Sequence, residues 1–158
     1  MANITFSLDS DLSAEVVLAT ATDFTESRPH YWPNIDPHVY KVHSKSSTTA
    51  QVTEGSAMLG GIWARESYDW SEPFTVRATV QDSNAFRQGG IWQLKATPRT
   101  GGGCHIDVTN RRQAKGFKGR VIGAMLTAMG AKVLPRQLQQ TLDIVARESI
   151  QAAMAVAR

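Results

Sequence analysis

FKGRVIGAMLTAMGAKVLPRQLQQTLDIVARESIQAAMAVA, from Phe117 to Ala157, is the longest continuous periodicity in the chain. Phe117, Val121, Met125, Met129 and Val133 recur every four residues with Ile122 and Leu126 beside them, which lays an apolar stripe along one side of a helix. Leu134, Leu138, Leu142 and Val145 continue the stripe between polar flanks that include Lys132, Arg136, Gln139, Gln140, Arg147 and Glu148. Pro135 removes a backbone donor and crowds the preceding turn, so a kink is expected there, and Gly130 eases the bend. At ~1.5 Å per residue, such a helix needs a broad apolar surface to lie across, with Met125 and Leu126 buried beneath it.

The residues upstream supply that surface. Ile4, Phe6 and Leu8 alternate with Asn3, Thr5 and Ser7, the period of a half-buried strand. Ser10 or Asp11 can cap a short helix from Leu12 to Ala21 whose inner face is Leu12, Val16 and Ala19. Thr22 and Asp23 can cap a second, from Phe24 to about Arg28, that stops before Pro29.

Hairpin register then orders the strands. Pairing Tyr40–Ser44 with Thr48–Val52 gathers Tyr40, Val42, Ala50 and Val52 on one face. Pairing Ala64–Trp70 with Phe74–Val80 gathers Ala64, Tyr68, Trp70, Phe74, Val76, Ala78 and Val80, with Arg65, Thr75 and Arg77 among those facing away. Trp92, Leu94 and Ala96 share a face with Cys104, Ile106 and Val108 if Gly101 to Gly103 make the turn. An antiparallel meander of about six strands plus the N-terminal one would have one apolar and one polar face, and the long helix would cover the apolar one.

Composition bounds the rest. The chain has 158 residues, 42% hydrophobic and 20% charged, which suits one globular domain from 1 to 158. The lone Cys104 excludes an internal disulfide, and Met1 to Asp9 lack the pattern of a secretion signal, so a cytoplasmic protein is expected. A formal net charge of +3 is too small to imply nucleic acid, and no DNA partner is expected.

The order of elements (strand, two short helices, meander, long helix) resembles the helix-grip fold of the START and polyketide cyclase/dehydrase superfamily, SRPBCC. The stretches that carry the resemblance are Trp32-Pro33, Arg65 through Pro73, Asp82-Ser83-Asn84 with Gly89-Gly90-Ile91-Trp92, and Gly119 with Gly123. It implies an α+β fold in which a seven-stranded curved antiparallel sheet wraps around a long kinked C-terminal helix. It further implies a cavity between sheet and helix for a small, largely apolar molecule. The superfamily spans carriers, cyclases and regulators, so it does not choose an activity.

Glu66 is the residue least explained by folding. The hairpin register seats it between Ala64 and Tyr68, opposite Ala78, and a carboxylate on an apolar face is costly unless it is paired. The plain alternative is a bulge or strand end where Glu66 reaches water or an arginine. Trp32, Tyr40, Tyr68, Trp70 and Trp92 can line a pocket and stack on a ring, or serve as core, and Met125 and Met129 can adapt to a ligand's shape or act as filler. His30, His38, His43 and His105 lack the spacing of a zinc site, so neither metal nor cofactor is expected. Cys104 and His105, adjacent on a strand, point to opposite faces.

Arg111, Arg112, Lys115, Lys118 and Arg120 concentrate positive charge before and within the first turn of the long helix. They read as a solvated loop or, through Arg111, Arg112 and Lys115, as a weak contact for an anionic surface. Two functions remain in front: a carrier of a polyketide, quinone or lipid-like molecule, and a polyketide cyclase or dehydratase using Glu66 and Tyr68 as acid/base groups. Neither the ligand nor the oligomeric state is encoded in these patterns.

Overall fold

In a computed structural model that describes residues 2–57 and 60–157, the strands are β1 (Ala2–Ser10), β2 (Lys41–Lys45), β3 (Thr49–Ser56), β4 (Ile62–Asp69), β5 (Thr75–Ser83), β6 (Ile91–Pro98) and β7 (Cys104–Arg112). They make one antiparallel sheet in the order β1-β7-β6-β5-β4-β3-β2, a meander closed by the N-terminal strand. Two short helices, α1 (Ala14–Ala21) and α2 (Arg28–Tyr31), follow β1, and α3 (Gly116–Val156) ends the chain. No helix among the described residues is long and apolar enough to cross a membrane.

Alternation places the strand faces as the sequence implies, while the registers differ. Val42 pairs with Val52 and Tyr68 with Ala78, each offset by two residues from the simplest hairpin, so the same side chains still turn inward. Irregularities between Val42 and Ser44 and between Arg65 and Glu66 shift each pairing by one further residue. Glu66 therefore stands opposite Val80 instead of Ala78. Phe74, expected inside, has φ of 58° and is exposed, whereas Thr75, expected outside, is buried. The positive φ breaks the alternation just before β5 begins.

The short helices are corrected in phase. Ser13 caps α1 by accepting from the Val16 N–H at 3.3 Å, and the buried face is Ala14, Val17 and Ala21 instead of Leu12, Val16 and Ala19. Pro29 lies in the first turn of α2 instead of terminating an earlier helix, because a missing N–H costs nothing there.

α3 runs unbroken for 41 residues through Pro135. Its C-terminal half buries Leu138, Thr141, Leu142 and Val145, and Leu138 and Leu142 join the core of Leu94, Ala96, Cys104 and Ile106. In the N-terminal half the buried positions are Gly119, Ile122 and Gly130, whereas Phe117 is 83%, Met125 36% and Met129 54% exposed. The expectation of a buried Met125 is thus corrected. Two glycines set the helix rotation: a Cβ at Gly119 would collide with the Ala85 carbonyl, and one at Gly130 with Ile4. With the glycine edge against the protein, the methionine stripe turns toward an opening.

Candidate functional site

That opening leads into a cavity of about 330 Å³ between the sheet and α3, within the range of small-molecule sites. The sheet contributes Phe6, Ala64, Val108 and Trp92, α3 contributes Ile122, Met125, Leu126, Met129, Val133 and Leu138, and Trp32 stands at the end of α2. Met125 and Met129 are accessible because the cavity they border is open. Of the residues expected at a ligand pocket, Trp32, Glu66, Tyr68, Trp92, Met125 and Met129 line this cavity. Tyr40 and Trp70 do not: they pack behind that wall, against the cluster of Phe24, Val52, Val76 and Ala78. The Trp70 and Phe24 rings lie 5.6 Å apart, and burial pushes the unpartnered Tyr40 hydroxyl up to about 12.

One wall of the cavity is ionic. Arg28, 3% exposed, pairs through Nε with Glu54. Its Nη1 donates to the carbonyls of Ala21 (3.0 Å) and Asp23 (3.3 Å), and its Nη2 to the Tyr68 hydroxyl at 3.3 Å. The Phe24, Trp32 and Tyr68 rings lie 4.5, 5.5 and 5.3 Å from the guanidinium. The Tyr68 oxygen is 2.9 Å from Glu54 Oε2 and 3.4 Å from Glu66 Oε2. A phenol has one proton to give, and the shorter contact takes it. Glu66, 3% exposed, accepts at Oε1 from Arg112 Nη2 at 2.6 Å. Arg112 rests 5.0 Å from the Phe86 ring, and its Nε is buried without a partner.

Burial raises the Glu66 pKa, against the pull of Arg112 and with the repulsion of Glu54 added. One close arginine contact does not restore the hydration lost by so buried a carboxylate. Burial, then Glu54 and Glu66, likewise hold the Tyr68 phenol well above its ordinary value, so it is a neutral donor at physiological pH. Desolvation opposes the charge of Arg28, but Glu54 and Tyr68 more than offset it, and the guanidinium stays charged.

A raised carboxylate pKa means that the folded chain holds the proton more tightly than the unfolded one. Glu66 therefore contributes stability that is complete below its ordinary value of 4.5 and is lost as the pH rises through its folded value. Relative to wild type, Glu66→Gln is expected to gain stability as the pH rises from the ordinary carboxylate value of 4.5 through the raised folded value. Parallel denaturation curves across that range would show that the ionisation carries no such cost.

The basic stretch is not a single patch. Arg112 is the last residue of β7 and turns inward to Glu66, which removes it from any surface contact. Lys115 Nζ donates to the Ser83 carbonyl at 3.0 Å and to Asp82 at 3.4 Å, and Lys118 Nζ to the Gly60 carbonyl at 3.1 Å, so both fasten the start of α3 to the sheet. Arg111 is exposed.

Arg28, Glu54 and Asn110 are site residues that sequence reasoning missed. Asn110 and Arg112 had a usable signal: two further steps along the inward face Cys104, Ile106, Val108 reach them. Among the described residues no group of three or more His, Cys, Asp or Glu side chains is placed to hold a metal. Cys104 is buried, while His105 on the other face bonds Asp9 at 2.6 Å.

A curved sheet gripping a long C-terminal helix, with short helices after the first strand and a cavity between, is the helix-grip fold, shared with solved structures that include a START superfamily protein and an aromatase/cyclase. No family model and no curated protein matches the sequence. Among solved structures, the Zhui aromatase/cyclase from Streptomyces sp. R1128 is similar at TM-score 0.77 and 9% identity, over 93% of this chain and 94% of that one. A START superfamily protein from Mycobacterium smegmatis is similar at 0.75 and 14%, over 93% and 99%. Norcoclaurine synthase from Thalictrum flavum is similar at 0.67 and 9%, over 91% and 86%.

Proposed function

We propose that this protein binds a small, largely apolar molecule, of polyketide, quinone or lipid-like character, in the cavity between the sheet and α3. The observation that carries the reading is the combination of apolar walls with one buried polar side made of Glu66, Tyr68, Asn110 and Arg112. Apolar surface supplies the affinity in such sites, and a few fixed polar groups supply the orientation. Neighbours in fold include an aromatase/cyclase and a norcoclaurine synthase solved in complex with dopamine and hydroxybenzaldehyde, which supports a small-molecule ligand for this fold. The test is organic-solvent extraction of the purified protein with mass spectrometry, followed by thermal-shift measurements with the compounds recovered. A protein that releases no small molecule and is stabilised by no apolar compound in a broad panel would defeat the reading.

A second reading, a polyketide cyclase or dehydratase, is favoured by one observation. Glu66 and Tyr68 lie 3.4 Å apart and both are buried; the Tyr68 proton is given to Glu54, and burial inclines the Glu66 carboxyl to keep one that suits donation to a ligand carbonyl. Glu66→Gln separates the two. A catalytic Glu66 predicts retained ligand with turnover reduced by roughly 10²-fold or more, whereas a carrier keeps both its ligand and its function.

A further inference from the structure

Asn110 is a buried polar side chain in the cavity wall that the ionic network leaves unused. It lies on the inward face of β7, 9% exposed, opposite Trp92 of β6 in the ladder, and both border the cavity. Glu54, Glu66, Tyr68, Arg28 and Arg112 are joined to one another, but the Asn110 amide has no hydrogen-bond partner among the described residues. An amide so nearly enclosed carries an unmet hydrogen-bonding demand unless something in the cavity meets it. The charge balance of the same wall limits what that can be. Arg28 is held by Glu54 and Arg112 by Glu66, so each guanidinium in the wall already has a carboxyl partner. An ionised carboxylate entering there would lose its hydration and have to compete with Glu54 and Glu66 for those guanidiniums.

Resting on the cavity-binding reading above, we propose that Asn110 is the specificity-determining residue, and that the ligand is uncharged at its buried end and presents a carbonyl oxygen to the Asn110 amide, as a ketone, quinone or ester does. Trp92, beside Asn110, offers a flat apolar wall to the group that carries the oxygen. A free fatty acid entering carboxylate first is disfavoured by the same arrangement.

Three naphthalene probes of similar shape test this by equilibrium dialysis against the full chain at neutral pH: acetylnaphthalene, its hydrocarbon isostere isopropenylnaphthalene, and naphthoate. The wild type is expected to bind the ketone roughly tenfold more tightly than the hydrocarbon, about the worth of one buried hydrogen bond, and to bind naphthoate more weakly than the ketone. Asn110→Leu should erase the ketone preference while leaving hydrocarbon affinity within about twofold. The wild-type comparison needs no variant, so a misfolded Asn110→Leu would not rescue a failed proposal. Equal binding of ketone and hydrocarbon, a preference that survives in Asn110→Leu, or naphthoate bound as tightly as the ketone would each overturn the role of Asn110 while the cavity still binds. Failure of all three probes to bind would bring down the cavity reading as well.

Discussion

Replacing Arg28 with methionine is expected to destabilise the protein by about 3–5 kcal/mol, the cost of removing one partner from a buried ion pair. The side chain is 3% exposed, and its loss strands four acceptors at once: Glu54, the Tyr68 hydroxyl and the carbonyls of Ala21 and Asp23. Glu54 would then keep the Tyr68 hydroxyl but lose the cation paired with it. Glu54→Gln alone should cost less, because a neutral amide tolerates burial better than an unpaired carboxylate. In the double variant Arg28→Met/Glu54→Gln, part of the loss should return, with a coupling above about 1 kcal/mol in a urea-denaturation cycle. A single Arg28→Met loss below about 1 kcal/mol would mean the pair contributes little.

Two glycines on the same helix should respond in opposite directions. Gly119→Val is expected to cost about 3 kcal/mol or more, since the new Cβ would run into the backbone carbonyl of Ala85, which has no side-chain freedom with which to retreat. That carbonyl already accepts the Lys115 N–H at 2.8 Å, so it is held from both sides. At Gly123, one turn further along, an added Cβ would meet only the Ala114 methyl at 3.7 Å, an ordinary contact. Gly123→Ala should therefore stabilise by about 0.5–1 kcal/mol, the helix preference of alanine over glycine. Thermal denaturation of both variants checks the contrast, and equal effects would show that the docking of α3 does not depend on Gly119.

The contrast also explains what was legible in the sequence. Strand faces were, because alternation survives a two-residue register shift: Val52, Ala78 and Ile106 face inward whichever partner they meet. Glu66 stood out for the same reason, as a charge in an apolar series. The rotation of α3 was not legible. Hydrophobicity counts favour Phe117, Val121 and Met125 over Gly119, but closeness of approach is decided by the residue that lacks a side chain. Arg28 was hidden by distance along the chain, since its partners Glu54 and Tyr68 lie 26 and 40 residues away. Locally it looks like the polar end of a short helix. Arg112 was hidden by its neighbour: two adjacent arginines read as a surface run until the strand is extended to include them and sends only one inward.

The shortness and irregularity of β2 have a consequence for the protein in company. An open sheet must end somewhere, and an exposed terminal strand invites another chain to add itself, the first step of amyloid-like growth. Here the terminal strand is five residues long, has a lysine at each end, and is bent where its register slips between Val42 and Ser44. An incoming strand would find few donors and acceptors in line and two positive charges to approach. The border of the sheet is thereby made a poor template, and crowded solutions of the folded protein have little to polymerise on at that side.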